Sequence, residues 1–246
     1  MVEKIASDLA HLGVNKGDEI IMHTAFSKLG KGVSPDDVLA GLRLALGEEG
    51  TLIIPSLSWA NVNKNNPVFD VYDTPACIGF FPEYFRKTEG ARRSVHPTHS
   101  CSAAGKNADE YVMRHQLDRT PVGENSPFRI LSERKGKILF LGVVSRPNTS
   151  MHGVEELVRP DYLFGDDLEY TLNCYDGVSY KAVYHTHGFK NTSQRYERAE
   201  ALMNQYELSK GYVLEAYCTL MSADALWKKG REALEKDNHF FVDISK

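Results

Sequence analysis

The sequence has few of the features that mark specialised protein classes. Its four cysteines are scattered and form no Cys-x-x-Cys pair, which argues against a zinc knuckle or disulfide scaffold and favours a reducing compartment. No apolar run approaches the roughly 20 residues that span a membrane. A net charge of −4 gives no broad attraction to nucleic acid or anionic lipid. We therefore expect a cytoplasmic protein with no nucleic-acid or membrane partner.

Several motifs of nucleotide and metal enzymes are also missing. The chain has no Walker A motif, no Gly-x-Gly-x-x-Gly after a strand and no His-Glu-x-x-His, so nucleotide hydrolysis, dinucleotide redox chemistry and zincin proteolysis lack their usual support. The opening MVEKIASDLAHLGV is too charged for a secretory signal and predicts an amphipathic helix that stops at Gly13. Repeats and low-complexity tracts are absent, and we expect a single domain over residues 1–246.

Strand-like and helix-like segments alternate over the first 160 residues. The predicted strands are DEIIMHT, GTLIIPSL and KILFLGV. In SPDDVLAGLRLAL, Ser34 is a predicted helix cap, Pro35 suits the first turn and Asp37 holds the capping-box position. LEYTLNCYDGVSYKAVYHTHG predicts a hairpin around Asp176-Gly177, and SQRYERAEALMNQYELSKG and SADALWKKGREALEKDN predict closing helices. The pattern indicates an α/β fold with three layers (α/β/α) and a mixed central sheet.

One short segment, NTSMHGVEE, carries the strongest candidate chemistry. His152 stands three residues before Glu155 and four before Glu156, so a helix places all three on one face. Such a group can orient a base, bind a metal or lie on a solvated surface. Its position just after a buried strand favours function, because open α/β sheets bind ligands there. Thr149 and the free N–H groups of the helix start can polarise an oxygen.

Two histidine pairs suggest metal binding less strongly. In HPTH, His96 and His99 are separated by Pro97, which disfavours a regular helix. No third ligand is obvious nearby, so we interpret this segment as a turn whose histidines donate hydrogen bonds. His185 and His187 of HTH are most simply one face of an edge strand.

An ordered series of segments resembles the aminoglycoside 3-N-acetyltransferase family. It runs through GDEIIMHTAFSKLG, EGTLIIPSLSWA, GARRSVHPTHSCSAAG, PVGENSPFRIL, GKILFLGV and NTSMHGVEE, and covers most of residues 12–156. The resemblance implies transfer of acetyl from acetyl-coenzyme A to a primary amine, without a metal, on an α/β/α fold distinct from the GNAT acetyltransferases. It also implies that His152 is the general base, Glu155 its partner and Thr149 a further catalytic residue.

The resemblance extends to contacts with both substrates. The residues expected to contact acetyl-coenzyme A are Thr24, Ser27, Arg93, Ser94, His96 and Ser126. Those expected to contact the acceptor are Trp59, Asn61, Asp73, His99 and Asp167. Some family members have an acid near the tryptophan, but SLSWANVNKNN carries Lys64 and no carboxylate. A nucleotide-linked amino sugar with one amine is therefore an alternative to an aminoglycoside.

Three other functions stay open at this stage. An acetyl group can pass through a covalent intermediate on Cys101 or Ser150. A metal-dependent hydrolase can use His96, His99 or His152 as ligands. A module that binds coenzyme A or amino sugars without turnover is the non-enzymatic alternative. For acetyl transfer the expected partners are acetyl-coenzyme A and a small-molecule amine. The sequence is also compatible with a homo-oligomer.

Overall fold

The computed structural model describes residues 1–244, so residues 245 and 246 of the expected domain lie outside the described residues. The α-helices are α1 (Val2–Leu12), α2 (Pro35–Leu46), α3 (Phe80–Phe85), α4 (Ala108–Val112), α5 (Pro127–Glu133), α6 (Ser150–Val158) and α7 (Ala223–Lys236). Short 3₁₀ helices cover Phe26–Leu29, His115–Leu117 and Tyr196–Leu202. The strands are β1 (Glu19–Thr24), β2 (Thr51–Pro55), β3 (Val68–Asp70), β4 (Arg92–Arg93), β5 (Cys101–Gly105), β6 (Lys137–Leu141), β7 (Phe164–Asn173), β8 (Ser179–His187), β9 (Thr192–Gln194), β10 (Leu208–Val213), β11 (Ala216–Ser222) and β12 (Val242–Ile244).

The central sheet is mixed, as the sequence predicted. Within residues 1–244 its strands follow the order β10-β11-β6-β1-β2-β5-β4. Strand β1 pairs in parallel with β2 on one side and with β6 on the other. The flanking strands β11 and β5 pair antiparallel with β6 and β2. The carboxyl ends of β1, β2 and β6 therefore meet at one edge, where open α/β sheets bind ligands.

Two hydrophobic cores lie on opposite faces of this sheet. Because successive strand residues point to opposite faces, Ile21 and Ile138 pack with α5, α6 and α7, whereas Ile20 and Leu139 pack with α1, α2 and α3. Both faces are covered by helices, which explains why the central strands are continuously apolar. The three-layer α/β/α prediction is confirmed.

The local helix signals also behave as predicted. Gly13 ends α1 in the left-handed conformation, at φ 110°, which costs glycine little. At the start of α2 the Asp37 backbone N–H donates to Ser34 Oγ at 3.0 Å, and Pro35 occupies the first turn. The complete capping box fixes where α2 begins.

One predicted helix is wrong. The segment SQRYERAEALMNQYELSKG forms only the 3₁₀ helix Tyr196–Leu202 and then enters β10. Asn204 breaks the segment, because its side-chain oxygen accepts from the Tyr206 N–H in a turn. Leu214 then turns the chain at φ 54°, and β10 pairs with β11. Backbone pairing at the sheet edge outweighs the helix propensity of the segment.

The predicted hairpin forms a second sheet above the edge of the first. Strands β7 and β8 are antiparallel and turn at Asp176-Gly177, as predicted. Strand β3 adds to β7 in parallel, and side chains of β7 and β8 close one side of a cleft at the carboxyl ends of β1, β2 and β6. Among residues 1–244, the helices are all too short or too polar to cross a membrane.

Candidate active site

A cleft of about 1030 Å³ lies where the central strands end. Its floor is formed by Thr24 at the end of β1, Pro55 at the end of β2 and Val143 after β6. Its walls come from the start of α6 and from the second sheet. This is the strand–helix edge at which the sequence placed the polar segments, and His152 lines it.

His152 is held by Tyr196, which belongs to a buried group of two phenols around one carboxylate. Its Nδ1 lies 2.9 Å from the Tyr196 hydroxyl, which donates to Glu155 Oε2 at 2.7 Å. The other oxygen of Glu155 accepts from the Tyr162 hydroxyl at 2.8 Å. Glu155 itself lies 3.5 Å from His152 Nδ1 and is fully buried. The predicted partner is therefore close to His152, with Tyr196 between them.

These contacts determine which imidazole nitrogen carries hydrogen. Burial, reinforced by Glu155, raises the pKa of Tyr196 far above its ordinary value, so its single hydrogen stays on the phenol. That hydrogen points to Glu155, and the oxygen of Tyr196 must then accept from His152 Nδ1–H. Neutral His152 therefore presents an unprotonated Nε2. A base with this arrangement is ready to take a proton.

A second histidine–carboxylate pair lies beside the first. His187 Nε2 is 2.8 Å from Glu156 Oε1, and Glu156 also accepts from the Thr120 hydroxyl and the Val122 N–H. His187 Nδ1 is buried and has no hydrogen-bond partner within residues 1–244. The edge strand expected from HTH is real, but His187 does not face solvent. It packs against Glu156 and lines the cleft.

His99 completes a group of three imidazoles. Its ring centroid lies 5.9 Å from that of His152 and 5.7 Å from that of His187. Burial lowers the pKa of both His99 and His187 well below its ordinary value, and the neighbouring histidines lower it further. Both rings are therefore neutral near pH 7.

Thr149 provides a hydrogen-bond donor near His152 that lines the cleft. Its hydroxyl makes no cap hydrogen bond. Ser150 is fully buried and accepts from Trp227 Nε1 at 2.8 Å, so it faces the core and not the cleft. The N–H groups of residues 150–152 already donate to Asn148 and Thr149. The Asn148 Nδ2 group also has no partner among residues 1–244, but it is buried and does not line the cleft. Thr149 is therefore the donor of this segment that a ligand in the cleft can reach.

Three residues expected to bind the coenzyme make their hydrogen bonds within the protein. Arg93 is only 3% exposed, and its guanidinium donates to Ser100 Oγ and to the Thr74 and Ser56 carbonyls. Ser94 is fully buried, with its hydroxyl 2.8 Å from His115 Nδ1. Neither Arg93 nor Ser94 lines the cleft.

His96 is the third, and it organises a turn. Its Nδ1 accepts from the Thr98 and His99 N–H groups, and its Nε2 lies 3.1 Å from the Thr120 carbonyl. The interpretation of HPTH as a hydrogen-bonded turn agrees with this geometry for His96. His99, by contrast, projects its ring into the cleft.

The other expected coenzyme contacts are divided. Thr24 lines the cleft, and its hydroxyl is buried without a partner in the described part of the chain. Ser126 is fully buried and caps α5 by accepting from the Phe128 N–H. Ser27 is exposed on the 3₁₀ helix after β1 and does not line the cleft. Thr24 is the one of the three that is placed to contact a ligand.

The expected acceptor contacts are divided in the same way. Trp59 and His99 line the cleft. Asn61 is turned away and donates to the Pro75 carbonyl. Asp73 is exposed outside the cleft, and the exposed Asp167 pairs with His185 on the outer side of the hairpin. The two aspartates are therefore not placed to receive an amine in this cleft.

Sequence reasoning missed several cleft residues because they come from distant segments. Tyr196 follows His152 by 44 positions and lies in a segment predicted to be helix. His23 lines the cleft at the end of β1, where burial lowers its pKa to about 4. The alternation of HTH put His185 and His187 on one face of a strand, so it gave no signal that the His187 side chain is buried while that of His185 is exposed. Cys101 is fully buried, and burial raises its pKa far above that of a reactive thiol.

The model of the family described as aminoglycoside 3-N-acetyltransferase matches residues 21–235. The chain belongs to the aminoglycoside 3-N-acetyltransferase family. The resemblance of the six segments is thereby confirmed.

Individual members of the family share about a quarter to a third of the sequence. Aminoglycoside N(3)-acetyltransferase VII of Streptomyces paromomycinus is 30% identical over 172 residues, which cover 63% of this chain and 59% of that protein. The match thus spans less than two thirds of that relative's length. Aminoglycoside N(3)-acetyltransferase III of Salmonella sp is 27% identical, over 96% of this chain and 91% of that protein.

Solved structures of family members have the same fold. The AAC-IIIb structure described as a binary complex with CoASH matches with a TM-score of 0.84 and 26% identity, over 96% of each chain. The mixed seven-stranded sheet and its two helical layers are therefore the aminoglycoside 3-N-acetyltransferase fold.

Proposed function

We propose that the chain transfers acetyl from acetyl-coenzyme A to a primary amine of an aminoglycoside or a related amino sugar, with His152 as general base. The observation that carries the proposal is the free Nε2 of His152 at the wall of a large cleft, with Nδ1 held by Tyr196 and Glu155. Family membership supplies the reaction class. The AAC-IIIb complex with CoASH supports coenzyme A as the acetyl carrier.

The chemistry requires a base at this position. An ammonium group has no lone pair, so it must lose a proton before or during attack on the thioester. His152 Nε2 takes that proton, and the resulting imidazolium is stabilised by Glu155 through Tyr196. The amine nitrogen then attacks the thioester carbon and forms the new C–N bond of a tetrahedral intermediate, whose C–S bond breaks next. The nitrogen gives up a second proton, which passes to the sulfur, so that coenzyme A leaves as the thiol. The proton held by His152 is released to solvent.

The thioester oxygen also needs a donor. It gains negative charge in the tetrahedral intermediate, and one well-placed donor typically contributes about 3 kcal/mol to stabilising such a transition state. We assign this role to the Thr149 hydroxyl, which lines the cleft beside His152. The thioester is already activated, so the reaction requires no metal. The covalent route loses support because Cys101 and Ser150 are both fully buried.

The charges of the residues that line the cleft bear on the identity of the acceptor. Among the described residues that line the cleft there is no aspartate or glutamate, whereas Lys64 and Arg146 are both present. A polycationic aminoglycoside gains most from lining carboxylates, and like charges oppose it. An amino sugar with a single amine, joined to an anionic group such as a nucleotide, is therefore the second candidate. Lys64 and Arg146 would then pair with phosphates of the acceptor or of the coenzyme.

A thiol-release assay separates these acceptors. Acetyl-coenzyme A is mixed with the protein and with aminoglycosides, simple amino sugars or nucleotide-linked amino sugars, and free coenzyme A thiol is measured. Release that depends on an amine supports acetyl transfer, and the acceptor with the highest kcat/KM identifies the class. Absence of amine-dependent release across the panel, from a protein that coenzyme A stabilises against heat, would favour the binding module instead.

A further inference from the structure

Three imidazole rings converge on one point of the cleft. One ring nitrogen from each of His99, His152 and His187 lies within 4.8 Å of the other two. The His152 and His187 ring centroids are 5.2 Å apart, and the other two pairs are separated by similar distances. The three residues come from a turn, a helix and a strand, so no local sequence pattern brings them together.

In each ring one nitrogen is engaged by a neighbour, which leaves the other nitrogen available to a ligand. His152 Nδ1 meets Tyr196, and His187 Nε2 meets Glu156. His99 Nδ1 lies 2.9 Å from Thr98 Oγ1. Histidines that ligate metals are held in this way, because the outer partner fixes both the tautomer and the ring orientation.

The ring nitrogens without a neighbour's hydrogen bond carry the lone pairs that a metal ion requires. His187 Nδ1 is buried and has no hydrogen-bond partner in the described chain, and an unpaired buried acceptor is costly. Because Tyr196 accepts from Nδ1–H of neutral His152, the Nε2 of that ring also keeps its lone pair. A cation that accepts these lone pairs satisfies the unpartnered nitrogen and needs no proton to be displaced from it.

We propose that His99, His152 and His187 bind one divalent transition-metal ion, for which Zn²⁺ is the best match. Three imidazoles with a fourth position open to the cleft is a common zinc arrangement. Bonds of about 2.0–2.1 Å place tetrahedral nitrogen ligands about 3.3 Å apart. The three nitrogens must therefore draw together, and His152, whose side chain is 15% exposed, has space to do so.

Metal binding at this point blocks the proposed reaction. A lone pair donated to Zn²⁺ cannot accept a proton from an amine, so the ion converts His152 from a base into a ligand. This consequence rests on the proposed function, whereas metal binding itself does not. The site therefore makes acetyl transfer sensitive to the concentration of free Zn²⁺.

Direct binding of the metal is the first test. The chain is freed of metal with a chelator, dialysed and titrated with Zn²⁺ by calorimetry, and Co²⁺ absorption reports the ligand geometry. We expect one ion per chain, with affinity reduced more than about tenfold in His187→Gln and in His99→Asn. His185→Gln is the matched control, because it is the same substitution two positions along β8 on an exposed side chain. It should bind as the unaltered chain does.

Two results would overturn the site. One is the absence of a stoichiometric ion in the unaltered chain. The other is equal affinity in His187→Gln, His99→Asn and His185→Gln, which would place the metal elsewhere.

If Zn²⁺ binds as expected, it should inhibit thiol release in the same concentration range, and thiol release by His187→Gln should be less sensitive to Zn²⁺. Activation by Zn²⁺ would refute the blocking role and leave the site intact. A chain without acetyltransferase activity that still binds one ion would separate the two proposals.

Discussion

A single hydroxyl, that of Tyr196, decides what His152 can do. Its hydrogen goes to Glu155, so its oxygen accepts from His152 Nδ1. Tyr162 donates to the other oxygen of the same carboxylate. The two phenols make similar contacts with Glu155, but the Tyr196 hydroxyl alone of the two reaches His152. This difference provides a test of the positioning role.

Tyr196→Phe should lower kcat about tenfold or more, because an outer partner of a catalytic or ligating histidine typically contributes this much. The KM for acetyl-coenzyme A should change little, since the ring still fills its place. Tyr162→Phe removes the equivalent hydrogen bond to Glu155 without touching His152, and should lower kcat less. Steady-state kinetics of both variants provide the comparison. Equal losses in the two would reduce Tyr196 to a structural role.

At this scale the sequence predicted the proximity of His152 and Glu155 but not the other side chains around them. His152 and Glu155 are three residues apart on one helix, and local spacing is sufficient to pair them. Tyr196 and His187 meet His152 only through the packing of distant segments. Arg93 shows the opposite error: arginine in a motif suggests an anion site, yet its donors go to carbonyls of the protein. Composition does not indicate whether a charged side chain is buried.

At the scale of elements, the position of His152 depends on how closely α6 packs on α7. Gly153 follows His152 directly and faces α7. A Cβ atom at Gly153 would lie 2.3 Å from Trp227 Cη2 and 2.6 Å from Val122 Cγ1. Gly230, on α7, faces α6 in turn, and its Cβ would lie 3.2 Å from Val154 Cγ1. The contact is tight at the first glycine and looser at the second.

Gly153→Ala should destabilise the fold by about 1–3 kcal/mol, because overpacking outweighs the helix propensity gained from alanine. It should also lower kcat, since α6 must shift and His152 shifts with it. Gly230→Ala is the matched control and should lower the free energy of unfolding and kcat by less than Gly153→Ala does. Urea denaturation measures the free energy of unfolding. A more stable Gly153→Ala variant would show that the helices are not in close contact at this point.

Elements with strong local sequence signals could be predicted. Strands that form only by pairing with a distant strand could not. The capping box at Ser34 and Asp37 and the turn at Asp176-Gly177 specify their own geometry. Strands β10 and β11 exist because each completes the hydrogen bonds of the sheet edge. Their residues carry no equally clear signal, and β10 lies in a segment whose composition favours helix.

For the molecule as a whole, buried histidines predict loss of stability in mild acid. Burial is the first cause that lowers the pKa of five histidines in the described chain, to about 4 for His23 and about 3 for His115, and in the same direction for His96, His99 and His187. The unfolded chain therefore binds more protons than the native one below about pH 6.5. Each such group removes up to about 1.4 kcal/mol of stability per pH unit.

The free energy of unfolding should accordingly fall as the pH drops from 7 to 5. Asp118 and Glu156 oppose the trend, because burial raises their pKa values. These two carboxyl groups are outnumbered by the five histidines, so the free energy of unfolding should still fall. Carboxylates with lowered pKa values, such as Glu83 at about 2, lose their contribution only at lower pH. Chemical denaturation at several pH values gives the slope. A constant free energy across this window would mean that the histidines are not buried as neutral rings.

The overall architecture was the most predictable level. Continuous apolar strands alternating with helices allow few arrangements other than helices on both faces of a sheet. That arrangement also fixes the edge at which the cleft must lie. The second sheet, which covers the cleft and contributes His187, could not be placed from the sequence because its hairpin is far from that edge along the chain.

The most direct test of the account is the rate of thiol release from acetyl-coenzyme A by His152→Ala, compared with the unaltered chain and the best acceptor amine. We predict that kcat falls about 100-fold or more, while the variant retains its fold and its KM for acetyl-coenzyme A. A folded His152→Ala variant that turns over at the unaltered rate would contradict the assignment of the base, and with it the mechanism.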